Sequence, residues 1–249
     1  STLTFIAIIN LRSNKNPFKV SIKEAKFSKK ILGPIFALSL PVFFEKFAFS
    51  FGKVIVNSMS ASYGSMVVGA LGVSNRIGAL ITNPPTGFQE GEASLISQNL
   101  GNNNYKRALD IFWKTLAINM TFAVGAFILM GVGKDQLIGL FAKGNPLFAL
   151  EIEKIFYYEQ LASILMALNT SVMGLLYGFG YTRISMILNA VRLFLYRIPP
   201  LWIIQHYFTG VGTEGVGIAM FISNGFIGIT SLIVALFLIR KIQKNARIV

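Results

Sequence analysis

Several long stretches of this chain carry no charged residue, among them Thr115 to Gly133, Gln160 to Thr182, and Val216 to Ile239. Each approaches or exceeds the ~20 residues that a helix needs to cross a bilayer, and this limits the possible folds severely. In lipid, every backbone N–H and C=O must find a partner inside the protein, so only helices and closed barrels span. A barrel would need short segments of alternating hydrophobicity, and these stretches do not alternate. Composition agrees, since 53% of the 249 residues are hydrophobic and 13% charged, with a mean hydropathy of +0.61. That is far more apolar than an average soluble domain. The chain reads as an all-α polytopic membrane protein with helices over roughly 31–58, 66–99, 107–133, 150–178, 184–208 and 215–240.

Within the first of these helices stands Glu45, in Leu40-Pro41-Val42-Phe43-Phe44-Glu45-Lys46. At 1.5 Å per residue it lies about 21 Å from the start of the helix, near the bilayer midplane. An acid there costs about 2.5–3.5 kcal/mol and is kept where it faces a bundle interior or a wet cavity. Pro41 has no N–H, which leaves the carbonyl of Ala37 unpartnered and predicts a kink one turn from the acid. Lys46 points about 100° away around the helix, and Lys53 is about 12 Å along it. A partner for Glu45 is therefore expected on another helix, in water or in a bound cation; an ion pair with Arg76 or Lys53 would be the purely structural alternative.

The second helix carries Asn75, Arg76, Gln89, Glu90 and Glu92 and is expected to break at Pro84-Pro85. It cannot face lipid all round, and its C-terminal part is read as lining a cavity or leaving the membrane. Glu90 and Glu92 are expected to be solvated or paired. Gly174-x-x-x-Gly178 predicts close helix packing within the chain rather than a dimer interface. Arg192 and Arg197 are expected to snorkel to an interface if their helix kinks at Pro199-Pro200.

Cysteine is absent, which excludes disulfides and thiolate metal sites. The lone His206 cannot build a multi-histidine site and reads as an interfacial hydrogen-bonding group. No nucleophile–base set or acidic metal-binding repeat appears, so no catalytic residue, metal or cofactor is expected and the chain does not read as an enzyme. A formal charge of +13 would suggest nucleic acid in a soluble protein, but here it follows membrane orientation. Fifteen loop Lys and Arg lie on the side of residues 11–30, the loop near residue 105, Arg183 and the C-terminus, against Lys134, Lys143 and Lys154 on the other. That bias places the C-terminus in the cytoplasm. Residues 1–10 read as the last turns of a preceding transmembrane helix, so the chain is taken as a fragment whose N-terminal part is absent or separate. Residues 11–30 read as a basic cytoplasmic linker that meets anionic lipid headgroups.

Three motifs resemble one family. Gly69-Ala70-Leu71-Gly72-Val73-Ser74-Asn75-Arg76 followed by Pro85-Thr86-Gly87-Phe88-Gln89-Glu90-Gly91-Glu92-Ala93-Ser94-Leu95-Ile96-Ser97-Gln98-Asn99-Leu100-Gly101-Asn102 is similar to the eighth helix of multidrug and toxic compound extrusion (MATE) transporters and the loop after it. Leu38-Ser39-Leu40-Pro41 through Glu45 resembles their seventh helix, and Gly174-Leu175-Leu176-Tyr177-Gly178-Phe179-Gly180-Tyr181-Thr182-Arg183 the end of their tenth. The resemblance runs from about residue 31 to the C-terminus. It implies that 31–249 is the C-terminal six-helix lobe of a twelve-helix MATE-type transporter, with 11–30 as the interlobe loop and the N-terminal lobe as partner. It also implies a multi-pass protein of the plasma (inner) membrane, exporting organic, often cationic, drugs or metabolites in exchange for H⁺ or Na⁺ by alternating access. Glu45 matches the coupling acid of the seventh helix. Some relatives add an aspartate in the tenth helix, where this chain has Met166, so Asn169 one turn on is the expected neutral co-ligand. Pro41, Phe44, Phe49, Asn75, Arg76 and Gln89 are the candidate substrate-cavity residues. The alternative is a lipid-linked saccharide exporter of related fold, for which Lys46, Lys53 and Arg76 would supply a basic cavity.

Overall fold

The computed structural model describes residues 28–246 and, within them, is helical throughout with no strand. The tail over 1–10 and nearly all of the linker over 11–30 lie outside the described residues. Six spans result: α1 (Lys29–Ser60), α2 (Ser65–Gly101), α3 (Tyr105–Ala142), α4 (Pro146–Gly178), a fifth made of α5 (Thr182–Phe194) and α6 (Ile198–Tyr207), and α7 (Glu214–Ala246). The chain divides into two units at Leu38 and Ser39. The described part of the first is the opening of α1, whose Ile31, Ile35, Phe36 and Leu38 are exposed. The larger unit carries everything that follows.

Local chemistry sets the turns. Asn104 and Asn145 cap α3 and α4, their side chains accepting from the N–H of Arg107 and of Phe148 at 3.1 Å each. Such caps satisfy N–H groups that have no helical partner. Pro146 follows at the first position of α4, where its missing N–H costs nothing. The cap and the proline start this helix four residues earlier than the sequence predicts. α3 likewise runs on past the expected end at 133, because Ile138 and Ala142 bury on the core face and Lys134 pairs with Glu153 of α4.

α4 is the centre of the larger unit. Its buried residues run from Ile152 to Gly178 on all sides, as expected of a helix enclosed by others. α2, α3 and α7 pack around it. Lipid tails are as apolar as leucine, so these contacts rest on close packing and hydrogen bonds rather than on a hydrophobic driving force. Gly178 lets the backbone of α4 approach Ile96 and Ala93 of α2, and Gly228 of α7 sits on the backbone of Leu165. The Gly-x-x-x-Gly pair thus packs within the chain, as its sequence predicts. Buried polar bonds add to this: Asn119 donates to Ser171 at 2.8 Å and Gln160 to the carbonyl of Phe127 at 2.8 Å. Each is worth about 0.6 kcal/mol on average in a membrane bundle.

Two sequence expectations about proline fail. α2 is not broken at Pro84-Pro85 but stays helical through both. Pro85 is buried, and the hydroxyls of Thr82 and Thr86 donate to the carbonyls of Gly78 and Thr82 around the pair. Threonine hydroxyls of this kind are among the groups that let membrane helices tolerate proline. In the fifth span the break falls at 195–197, ahead of Pro199-Pro200, which occupy the first turn of α6.

Candidate polar sites within the spans

Glu45 projects from the buried stripe of α1, 4% exposed. Tyr177, in the last turn of α4, donates its hydroxyl to Oε1 at 2.7 Å, and Asn189 Nδ2 of α5 donates to the same oxygen at 3.0 Å. Ser185 Oγ of α5 stands 2.9 Å from Oε2. Ser185 and Asn189 are one helical turn apart, so both face the acid. Among the described residues Glu45 has no ion pair; the structural alternative with Arg76 or Lys53 is not what the fold builds.

The chemistry of this arrangement follows from proton counting. A carboxylate offers about four lone-pair sites, and three donors reach this one, two at Oε1 and one at Oε2. The Ser185 hydroxyl has one proton but two acceptors in reach, Oε2 and the carbonyl of Thr182 at 2.8 Å. Three neutral donors thus converge on one buried carboxyl, and the Ser185 hydroxyl can serve either of its two acceptors.

Asn169, the expected co-ligand, is not among the hydrogen-bond partners of Glu45. It is buried in α4 with Oδ1 unpartnered. Sequence reasoning passed over Tyr177, Ser185 and Asn189; the available signal was the pair of polar residues at i and i+4 on α5, which does not say which helix they face.

A second polar cluster joins α1, α2, α4, α5 and α7. Arg192 donates from Nε and Nη2 to Asn224 Oδ1 at 3.2 and 2.8 Å. Arg197, in the break of the fifth span, donates to the same oxygen at 2.8 Å and to Ser223 at 2.9 Å. Neither guanidinium snorkels: a carboxamide of α7 draws both inward, and the break turns the side chain of Arg197 into the core. Glu159, which sequence reasoning also passed over, accepts from Ser74 at 2.6 Å and lies tight against Gly78. Phe49 has Lys53 Nζ 4.9 Å and Arg192 Cζ 5.4 Å from its ring centre.

The remaining candidates scatter. Pro41 is buried and Phe44 exposed, Asn75 is exposed with its amide bonded back to Leu71 of its own helix, Arg76 is exposed, and Gln89 is half-buried. On α2, Arg76, Asn83, Gly87, Glu90 and Ser94 share one exposed stripe at helical spacing. A polar stripe along a spanning helix suits a wet cavity rather than lipid. Glu90 is thus exposed as expected, whereas Glu92 is neither solvated nor paired. It is 1% exposed against Gly174, with both carboxyl oxygens unpartnered among the described residues, because it lies on the opposite face of α2, toward α4. His206 donates to the carbonyl of Trp202 at 2.8 Å, stacked on that residue's ring at an exposed helix end.

The MatE family model matches this chain over residues 41–203. "Multidrug export protein MepA" of Staphylococcus aureus (strain bovine RF122 / ET3-1) is 24% identical over 232 residues, covering 93% of this chain and 50% of that protein. The MepA of Staphylococcus haemolyticus (strain JCSC1435) is 24% identical over 209 residues, 83% of this chain and 45% of the other. The chain spans about half the length of the curated relatives it matches. A solved structure, "Crystal structure of MATE in complex with MaL6", superposes with a TM-score of 0.89 at 19% identity over 98% of this chain and 54% of that one. With matched helices, matched order and a family model that spans most of its length, this chain belongs to the MatE family.

Proposed function

We propose that this chain forms one six-helix lobe of a cation-coupled antiporter that exports organic, often cationic, molecules across the plasma membrane, and that Glu45 is its exchange site for H⁺ or Na⁺. The observation that carries the reading is the Glu45 carboxyl itself, buried within a spanning helix, held by three neutral donors and, among the described residues, paired with no basic one. The relatives are named as multidrug export proteins, which supports efflux as the direction and makes the lipid-linked saccharide alternative the weaker reading. Of the three basic residues named for it, only Lys53 joins the Phe49 cluster, while Lys46 and Arg76 are exposed on separate helices away from it. The residues over 31–249 act as the lobe, 11–30 as its cytoplasmic linker, and a second six-helix lobe faces the polar stripe of α2. Antiport follows when the coupling ion and the substrate disfavour each other's binding, so that the empty acid resists reorientation.

The test uses vesicles containing the transporter with both lobes and an imposed Na⁺ or proton gradient. Glu45→Gln is expected to reduce gradient-driven efflux of a cationic dye roughly tenfold or more, the size of an ordinary coupling free energy, with insertion unchanged. The gradient that drives the unmutated protein identifies the ion. Undiminished efflux by a correctly inserted Glu45→Gln protein overturns the assignment.

A further inference from the structure

We propose that Lys53 and Arg192, gathered over the ring of Phe49, form a binding site for the anionic group of a transported organic molecule, a carboxylate or sulfonate on an apolar body. The inference goes beyond the coupling site and rests on the transport reading only for calling the occupant a substrate.

A glycine creates the site. A Cβ at Gly52 would run into the side chain of Leu193, so α1 lies directly on α5 at this level. The residues that follow Gly52 and precede Leu193 in sequence, Lys53 and Arg192, are thereby brought to the same aromatic ring, with Nζ and Cζ 4.9 and 5.4 Å from its centre. Two cations on one ring each gain from the π face and repel one another.

The charge balance is unequal. Lys53, Arg192 and Arg197 contribute three positive charges, and the charges of both arginines bear on the Lys53 ammonium. One acid, Glu159, acts on all three, yet it makes no direct ion pair with any of them and its contacts are Ser74 and Gly78. Arg197 is committed to Ser223 and Asn224, and Arg192 uses two of its five N–H donors on Asn224. Among the described residues the Lys53 ammonium makes no hydrogen bond or ion pair, and the residue as a whole is exposed while its Nζ lies over the Phe49 ring. The cluster therefore holds an excess of two positive charges within the spans, with free donors on Lys53 and Arg192 and an apolar ring beneath them. A cationic excess is costly inside a membrane and is relieved when an anion binds. A planar carboxylate or sulfonate can take hydrogen bonds from the Arg192 fork and Lys53 together, while Phe49 packs on its apolar body.

The experiment measures equilibrium binding of fluorescein, an aromatic dianion, to the membrane-embedded protein in phosphatidylcholine nanodiscs, with the cationic dye rhodamine 123 alongside. No ion gradient is needed, so the result is independent of whether Glu45 couples transport. Saturable fluorescein binding is expected, weakened about tenfold by Lys53→Gln, the loss of one charge-assisted contact, and further by Lys53→Gln with Phe49→Leu. Lys53 is exposed and unbonded, so its substitution leaves the fold intact. Rhodamine 123 binding should not weaken in Lys53→Gln. The proposal is overturned if fluorescein fails to bind, if Lys53→Gln binds it as well as the unmutated protein, or if phosphatidylglycerol in the nanodisc displaces it, which would make the occupant a lipid headgroup.

Discussion

Two glutamates of this chain are almost equally buried and are handled in opposite ways. Glu45 reaches three donors from α4 and α5, whereas Glu92, on the α2 face that packs on α4, reaches none. A buried polar group without a partner costs about 1–3 kcal/mol, and replacing it with an apolar group of similar shape recovers that cost. Glu92→Met is therefore expected to raise the thermal unfolding midpoint of the detergent-purified protein, by an amount corresponding to roughly 1–3 kcal/mol. A lowered midpoint would mean that the acid has a partner this structure does not give it. Glu45→Gln differs in kind: under the proposed coupling role its amide cannot exchange a proton, so the efflux assay rather than the melting point is the test of that role.

At the level of elements, small residues govern how the helices meet. Gly178 admits Ile96, whose Cβ would lie 2.6 Å from a Cβ placed there, with the carbonyl of Ala93 at 3.1 Å. The obstacle is partly backbone, so it cannot swing aside. Gly178→Val is expected to lower stability by about 1–3 kcal/mol, the usual penalty of overpacking, read as a fall in melting temperature and in folded yield. Gly125→Ala in α3 supplies the contrast: nothing lies within 4 Å of the added Cβ, and a mid-helix alanine is favoured over glycine by about 0.5–1 kcal/mol. A fall in stability for both variants would show that glycine acts here through the chain's flexibility and not through packing. The proline pairs make the same point about context. Pro84-Pro85 sits inside a packed helix with threonine hydroxyls around it and does not break it, while Pro199-Pro200 starts a new helix after a break that buries Arg197.

For the whole molecule, the fifteen-to-three distribution of loop lysines and arginines predicts a cytoplasmic face at the turn after α2 and an external face at the turn after α3. The absence of cysteine gives single-cysteine labelling a clean background. Lys106→Cys should react with a membrane-impermeant maleimide only after the cells are opened, and Lys143→Cys in intact cells; the reverse pattern would invert the orientation and put Glu45 on the opposite access route. The six spans, their order, the fold class and the burial of Glu45 were legible in the chain, because length and hydropathy act locally and lipid permits few alternatives. Which side chains surround that acid was not legible. Tyr177, Ser185 and Asn189 lie more than 130 residues away in sequence, as do Lys53 and Arg192 from each other, and their meeting depends on where glycines let particular helices touch. Helical periodicity states which face a residue occupies, but in a bundle held by close packing, the helix that covers that face is chosen only when all six are in place.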